Sequence, residues 1–409
     1  MPFRVDYGSS ATLTLHLEED AIAAAFAGPQ GDPIRDPEKA IIEAVESPLH
    51  FPRLVEATVA GDRIVVALEG GVPCAAAAVS GVLKTLIEGG ASPTDLTILR
   101  PHDSPIDSDL VARLPANIAS QIRILTHDPA DRQSLVYLAA THKGDPIYLH
   151  RAITDADVVV PIGCLRGLGT LGYSGSHSGL FPTFSDEETQ KRFASATWVD
   201  SRKESKRRTK ESDEAAWLAG NPFAVQIVPG GGEQWLHVLA GDPEMVAHEG
   251  ESRFDEAWSF SVPALAELVV VGICGGQSEQ TWVNLSRALA AAERLVEPDG
   301  RIVLCTSLEE PPGAAIGALL ESASNDEADR KIHRIKARDS FVAAQLLHTR
   351  QQAEIFLLSR LDPGFVEGLE MAPLEDPEDV SRLAESASSC TLLSCGQFVR
   401  PRVLTEAAT

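Results

Sequence analysis

Six residues near the middle of the chain, Gly167-Leu168-Gly169-Thr170-Leu171-Gly172, fit the spacing G-x-G-x-x-G. Such glycines let backbone N–H groups approach a pyrophosphate where a helix begins. That chemistry would make the chain a dinucleotide-dependent enzyme built around 167–172. The context opposes it, because Tyr173-Ser174-Gly175-Ser176-His177-Ser178-Gly179 does not favour a helix. Ser174, Gly175 and Ser176 suit either an anion nest or a surface turn. His177 has the side chain of a metal ligand or general base, and equally that of a loop histidine bonded to backbone. Arg287 can grip a carboxylate with two parallel hydrogen bonds, or stand exposed on a helix. The chain has no G-x-x-x-x-G-K-[ST], which excludes a P-loop nucleotidase, and neither H-E-x-x-H nor G-x-S-x-G.

These residues sit in an alternation of short strands and helices. Ala11 to Leu15 has the period of a strand, and Pro37 to Val45 that of a helix capped by Asp36. Arg63 to Leu68 reads as a buried strand, followed through Glu69-Gly70-Gly71-Val72-Pro73 by an alanine-rich helix ending near Gly89-Gly90. Further strands are expected at 96–99, 123–125, near Tyr148 and at 157–162, the last running into the glycine loop. A second set starts near Ser261, with strands at 268–273, 301–305, 354–358 and 389–393 and a helix over 277–295. The pattern predicts two α/β domains with Rossmann-like layers, at 1–262 and 263–409.

The bulk numbers narrow the partners. A net charge of −24 repels nucleic acid and anionic membranes. No stretch is long and apolar enough to span a bilayer, and the N-terminus lacks a signal pattern, so a cytoplasmic location is expected. The six cysteines (Cys74, Cys164, Cys274, Cys305, Cys390, Cys395) form no C-x-x-C pair and are expected to be reduced, with no zinc site. The basic run Arg202, Lys203, Lys206, Arg207, Arg208, Lys210 reads as a solvated helix face paired with Glu204, Glu211 and Glu214, or as an anion contact.

Several motifs in order resemble the nickel-pincer-nucleotide lactate racemase superfamily. They are Pro161-Ile162-Gly163-Cys164, Gly172 to Pro182, Asp186-Glu187-Glu188-Thr189, Thr126-His127-Asp128, Gly144 to Arg151, Ala240-Gly241-Asp242 with Ala247-His248, and Leu289 to Gly300. The resemblance spans roughly 60–400. It implies a two-domain α/β protein with a cleft between the domains, whose active relatives racemise or epimerise 2-hydroxy acids. There a lysine tethers a nickel-pincer nucleotide, histidines serve as base and metal ligand, and an arginine holds the substrate carboxylate.

By the same resemblance, this chain departs at the residues that matter. The tether position is Ser178, one base position is Leu168, the nickel-ligand position is Ala194, and the clamping arginine is Val72. The loop Leu99-Arg100-Pro101-His102-Asp103 is shorter than its counterpart, and His102 is the candidate replacement base. A glutamine and a lysine of the second domain fall at Asn284 and Arg287. The expected site therefore comprises His102, His177, Asn284 and Arg287 for catalysis, and Gly172, Ser174, Gly175, Ser176 and Ser178 around a cofactor or ligand. No metal ligand is assigned. The resulting expectation is a divergent paralogue without the covalent cofactor, acting as a non-catalytic binder or structural partner, with a small carboxylate as the candidate ligand of the cleft. The alternative is an active 2-hydroxyacid racemase or epimerase, an isomerase that holds the nickel-pincer nucleotide noncovalently. Neither reading fixes the oligomeric state.

Overall fold

A computed structural model describes residues 2–102, 110–167, 172, 175–196, 202–220 and 223–404, with backbone alone for 202–205. The chain is α/β. Its first six-stranded sheet runs in the order Trp235–Gly241, Ala224–Pro229, Val158–Cys164, Ile64–Leu68, Leu96–Pro101, Arg123–His127. All neighbours are parallel except the first pair. Every side chain of Ile64–Leu68 is buried, as a central strand covered on both faces requires. Helices Pro37–Glu46 and Ala75–Glu88 cover one face, packed closely enough that a Cβ on Gly81 would lie 2.7 Å from Ile41 Cβ. Phe181, Phe184 and Phe193 help fill the other face.

The second sheet is wholly parallel, in the order Ala372–Leu374, Glu354–Leu358, Val296–Cys305, Ala266–Gly272, Cys390–Leu393, Ile22–Phe26. Helices Trp282–Glu293 and Ser340–Thr349 contribute to the large apolar cluster on one face. The antiparallel hairpin Pro2–Tyr7/Ala11–His16 buries Val5, Leu13 and Leu15 on the opposite face, beside helix Pro377–Ser386.

Three features depart from expectation. Strand Ile22–Phe26 pairs with Cys390–Leu393 and so joins the second sheet, on which the preceding hairpin packs, although the division at 262 groups them with the first. An Ile-Ala-Ala-Ala-Phe run announces a strand but carries no information about its neighbour. Cys274 and Cys395 form a disulfide, 121 residues apart, with Cα atoms 4.8 Å apart. They lie just past the ends of the adjacent strands Ala266–Gly272 and Cys390–Leu393, a proximity that sequence spacing does not reveal. The other four cysteines are free. Finally, the basic helix Arg202–Leu218 is not simply a solvated face. Arg208 is buried and donates to the Phe193 carbonyl and to Ser195 Oγ at 2.7 Å, while both Glu211 oxygens accept from Arg192.

Candidate functional site

Past the C-terminal ends of the first sheet's strands, the chain borders an open cavity of about 300 Å3. Glu69 and Gly70 reach it from the end of strand Ile64–Leu68, and Pro101 from the end of Leu96–Pro101. Ser178, Pro182 and Thr183 come from the loop after Val158–Cys164, and Gln190, Phe193 and Ala194 from helix Glu187–Phe193 and its cap. The opposite wall is Arg287, Arg338 and Phe341, with Gly172 beside them. In parallel α/β sheets, loops at the carboxyl ends of strands are the usual place for a ligand.

The backbone turns at Gly172 with φ +86°, the left-handed region open to glycine. A Cβ there would meet the Phe341 ring at 3.5 Å and an Arg287 nitrogen at 3.8 Å. The Ser178 hydroxyl donates to the Gly175 carbonyl at 2.7 Å. The Ser176 carbonyl accepts from Gln226 Nε2 at 3.1 Å. These bonds tie the glycine loop to the sheet beneath it.

Behind the cavity lies a layer of charge. Glu69 accepts the Cys164 N–H at 3.0 Å. Gly163 makes room for this, since a Cβ there would stand 2.7 Å from both Glu69 Oε2 and Gln226 Nε2. Arg166 stacks 4.6 Å over the Phe398 ring, donates to Cys164 Sγ at 3.3 Å and approaches Glu279 at 3.8 Å. Glu279 is 1% exposed, and one of its oxygens accepts Asn284 Nδ2 at 2.8 Å. Asn284 Oδ1 in turn accepts from Arg287 at 3.1 Å.

Burial pushes the Glu69 carboxyl up, against the opposing pull of the Cys164 N–H, the nearby Ser178 hydroxyl and the two arginines. Glu279 is raised for the same reason, opposed by Arg166 and Arg287. Burial, reinforced by Arg166, lowers the Arg287 guanidinium to about 9, so it stays cationic at neutral pH. Burial drives the Cys164 thiol up to about 12, which leaves it protonated and unreactive. Of these two arginines, Arg287 lines the cavity and Arg166 lies behind it, and the Glu69 carboxyl at the cavity is shifted upward by its burial.

The expected residues separate into those at the cavity and those away from it. Gly172, Ser178 and Arg287 line it, as does Ala194, where the resemblance places a metal ligand. Asn284 is buried behind the wall and orients Arg287. Gly175 and Ser176 support the loop through their carbonyls. His177 is not among the lining residues; its Nε2 lies 3.7 Å from the Asp213 carboxylate, and burial lowers the ring to about 4. His102 is exposed at the end of its strand, and its N–H donates to the His127 carbonyl at 3.1 Å. Ser174 and Leu168 lie outside the described residues. For the G-x-G-x-x-G reading, Gly167 packs against the Arg400 and Phe254 side chains, each 2.7 Å from where a Cβ would stand. Among the described residues, no helix begins between Gly172 and Glu187. Sequence reasoning missed Gln190, Arg338, Arg166 and Glu279. Nothing distinguishes those four from other polar residues before the chain is folded.

Comparison with known proteins agrees with this geometry. Residues 7–206 match the family model of the lactate racemase N-terminal domain. The lactate racemase apoprotein from Thermoanaerobacterium thermosaccharolyticum superposes with a TM-score of 0.81 at 15% identity, covering 98% of this chain and 100% of that one. A protein from Thermotoga maritima superposes with a TM-score of 0.66 at 11% identity, covering 91% and 99%. No curated protein matches the chain in sequence. The chain is α/β and shares its fold with the lactate racemase apoprotein. Residues 7–206 thus carry a lactate racemase N-terminal domain, and the chain as a whole has the lactate racemase fold.

Proposed function

We propose that this chain is a divergent lactate racemase-like protein that does not carry the covalent nickel-pincer nucleotide and binds a small carboxylate in its cavity. One observation supports this above the rest. The tether and nickel-ligand positions, Ser178 and Ala194, line the same cavity, and neither side chain can do its counterpart's work. A serine hydroxyl already given to the Gly175 carbonyl is no amine, and an alanine methyl ligates nothing. Among the described residues, no three or more His, Cys, Asp or Glu side chains converge as a metal site. The residues present do not fit the pincer group.

The cleft between two domains, at about 262, belongs to the same reading. It is supported by the cavity drawing its walls from both sheets' connecting segments. A small-molecule partner is favoured over a membrane, since no helix among the described residues is long and apolar enough to cross one.

The test is intact mass and metal content on protein produced together with the pincer-assembly enzymes. The expected result is the mass of the bare chain without stoichiometric nickel. A mass increase accompanied by nickel overturns the proposal. Nickel without a mass increase would also overturn it, in favour of noncovalent capture and an active racemase.

A further inference from the structure

We infer that the Cys274–Cys395 disulfide is a redox-sensitive tie for the contact between the two sheets: closed, it keeps Glu233 bridging them, and reduced by a dithiol, it lets Glu233 go. The inference is independent of what the cavity holds. The two cysteines stand just past the ends of Ala266–Gly272 and Cys390–Leu393 in the second sheet. Against them lies the turn Gly230-Gly231-Gly232-Glu233-Gln234, which joins strands Ala224–Pro229 and Trp235–Gly241 of the first sheet. A Cβ on Gly231 would lie 3.7 Å from Cys395 Sγ, and one on Gly275 would lie 3.8 Å from the Gly232 carbonyl oxygen. Glu233 completes the contact. Its Oε1 accepts the Gly276 N–H at 3.1 Å, just past Cys274, and its Oε2 accepts the Cys74 N–H at 3.3 Å, past strand Ile64–Leu68. One exposed carboxylate thus holds a backbone amide from a connecting segment of each sheet.

The surroundings of the two sulfurs differ. Unbonded sulfurs keep van der Waals distance, so two thiols need more room than a bonded pair. Cys274 already has a partner for its thiol, because its Sγ lies 3.2 Å from the Asp6 carbonyl oxygen, which can accept an S–H. Its backbone is clamped by Gln397, whose Oε1 accepts the Cys274 N–H at 3.3 Å and whose Nε2 donates to the Cys274 carbonyl at 2.6 Å. Cys395 is held in the left-handed region, φ +54°, which favours glycine, and beside its sulfur stands Gly231, with no side chain to block it. On reduction the Cys395 sulfur therefore moves toward the glycine turn, and the turn carries Glu233 away from Gly276. The same segment runs on to Glu279, whose carboxylate holds Asn284 behind the cavity wall, so the change has a covalent path to that wall.

The co-reactant is a dithiol. One of its thiolates attacks Cys395 Sγ, forming a mixed disulfide and releasing the Cys274 thiolate, which takes up a proton. Its second thiolate attacks the reductant's own sulfur in that mixed disulfide and releases Cys395, which is protonated in turn. Two electrons and two protons pass to the cysteines, and the dithiol leaves as its disulfide. Both cysteines are only 4% exposed, so the reductant enters as the glycine turn lifts.

The test is hydrogen exchange, read by mass, on the folded full chain before and after dithiothreitol, with thiols counted by alkylation after quenching. Reduction should speed exchange of the Gly276 and Cys74 amides roughly tenfold through local opening, and leave strand Ile64–Leu68 unchanged. Cys395→Ser, which cannot form the bond, should exchange like the reduced chain. Glu233→Ala should be fast at both amides while still oxidised, with nothing added by reduction. A disulfide that dithiothreitol opens only in denaturant overturns the inference. So does unchanged exchange at Gly276 in the reduced chain, and so does an equal rise in Ile64–Leu68, which would report general unfolding. Should Cys395→Ser not fold, the reduced wild-type chain and Glu233→Ala carry the test by themselves.

Discussion

His127 is fully buried at the end of its strand, with its ring edge-on to Phe184 and to His150. Its Nε2 lies 2.9 Å from the Ser185 carbonyl, which can only accept, so Nε2 carries the hydrogen and Nδ1 is bare and without a partner. A proton on Nδ1 would be a buried, uncompensated charge, and burial accordingly lowers this histidine to about 4. His177 is lowered to about 4 by the same cause. Both rings are neutral in the folded chain below the pH at which an unfolded histidine charges, near 6.5. Stability is then complete above about pH 6.5 and is lost as pH falls toward 4, by roughly 1.4 kcal/mol per pH unit for each histidine. Urea midpoints taken from pH 7 to pH 4.5 should fall over that window, and His127→Gln should flatten the slope by the share of one histidine, roughly 1.4 kcal/mol per pH unit. Midpoints that stay level would show that these rings are accessible to protons. Residues of this kind were partly legible: Ser178 and Arg287 could be named because neighbouring motifs fix their register. Arg338 could not, because only the path of the chain brings it opposite Gln190.

Helix Trp282–Glu293 is the element that presents Arg287. Thr281 caps it, its Oγ1 accepting the Asn284 N–H at 3.2 Å, and Trp282, Leu285 and Leu289 bury its inner face. Thr281→Ala removes that acceptor and should destabilise the protein by about 1 kcal/mol, read from the denaturant midpoint. An unchanged midpoint would mean that water or another group caps the turn equally well. The helix pattern itself was visible, but its start was not. Periodicity suggests Gln277, whereas the helix begins at Trp282 because Gln280 is engaged elsewhere. Its Nε2 donates to the carbonyls of Ile273 and Gly275 at 3.2 and 3.0 Å, and its Oε1 accepts from Ser307 N–H at 2.9 Å. Contacts with another strand's end thus override local propensity, which a single sequence does not display. Strands such as Ile64–Leu68 and Glu354–Leu358 were legible because their apolar runs are buried on both faces whatever their partners.

At the scale of the whole molecule, the Cys274–Cys395 bond closes a loop that contains most of the second sheet. Alkylation in denaturant without reductant should label four of the six cysteines, and all six after reduction, as counted by mass. Six labelled thiols in both cases would show the pair to be open. Sheet order was the least legible property of this chain, since β-patterning specifies a strand's faces and leaves its neighbour to tertiary packing. Strand Ile22–Phe26 stands at the edge of its sheet, and its neighbour there, Cys390–Leu393, leaves the ribosome long after it. At roughly 5–20 residues per second, the earlier strand waits tens of seconds for its partner. Meanwhile the Val5, Leu13 and Leu15 hairpin lacks the Val380, Ala384 and Leu392 part of its packing surface. The nascent chain thus spends most of its synthesis with these distant segments unclosed, and this half of the molecule becomes native only once Cys390–Leu393 has emerged.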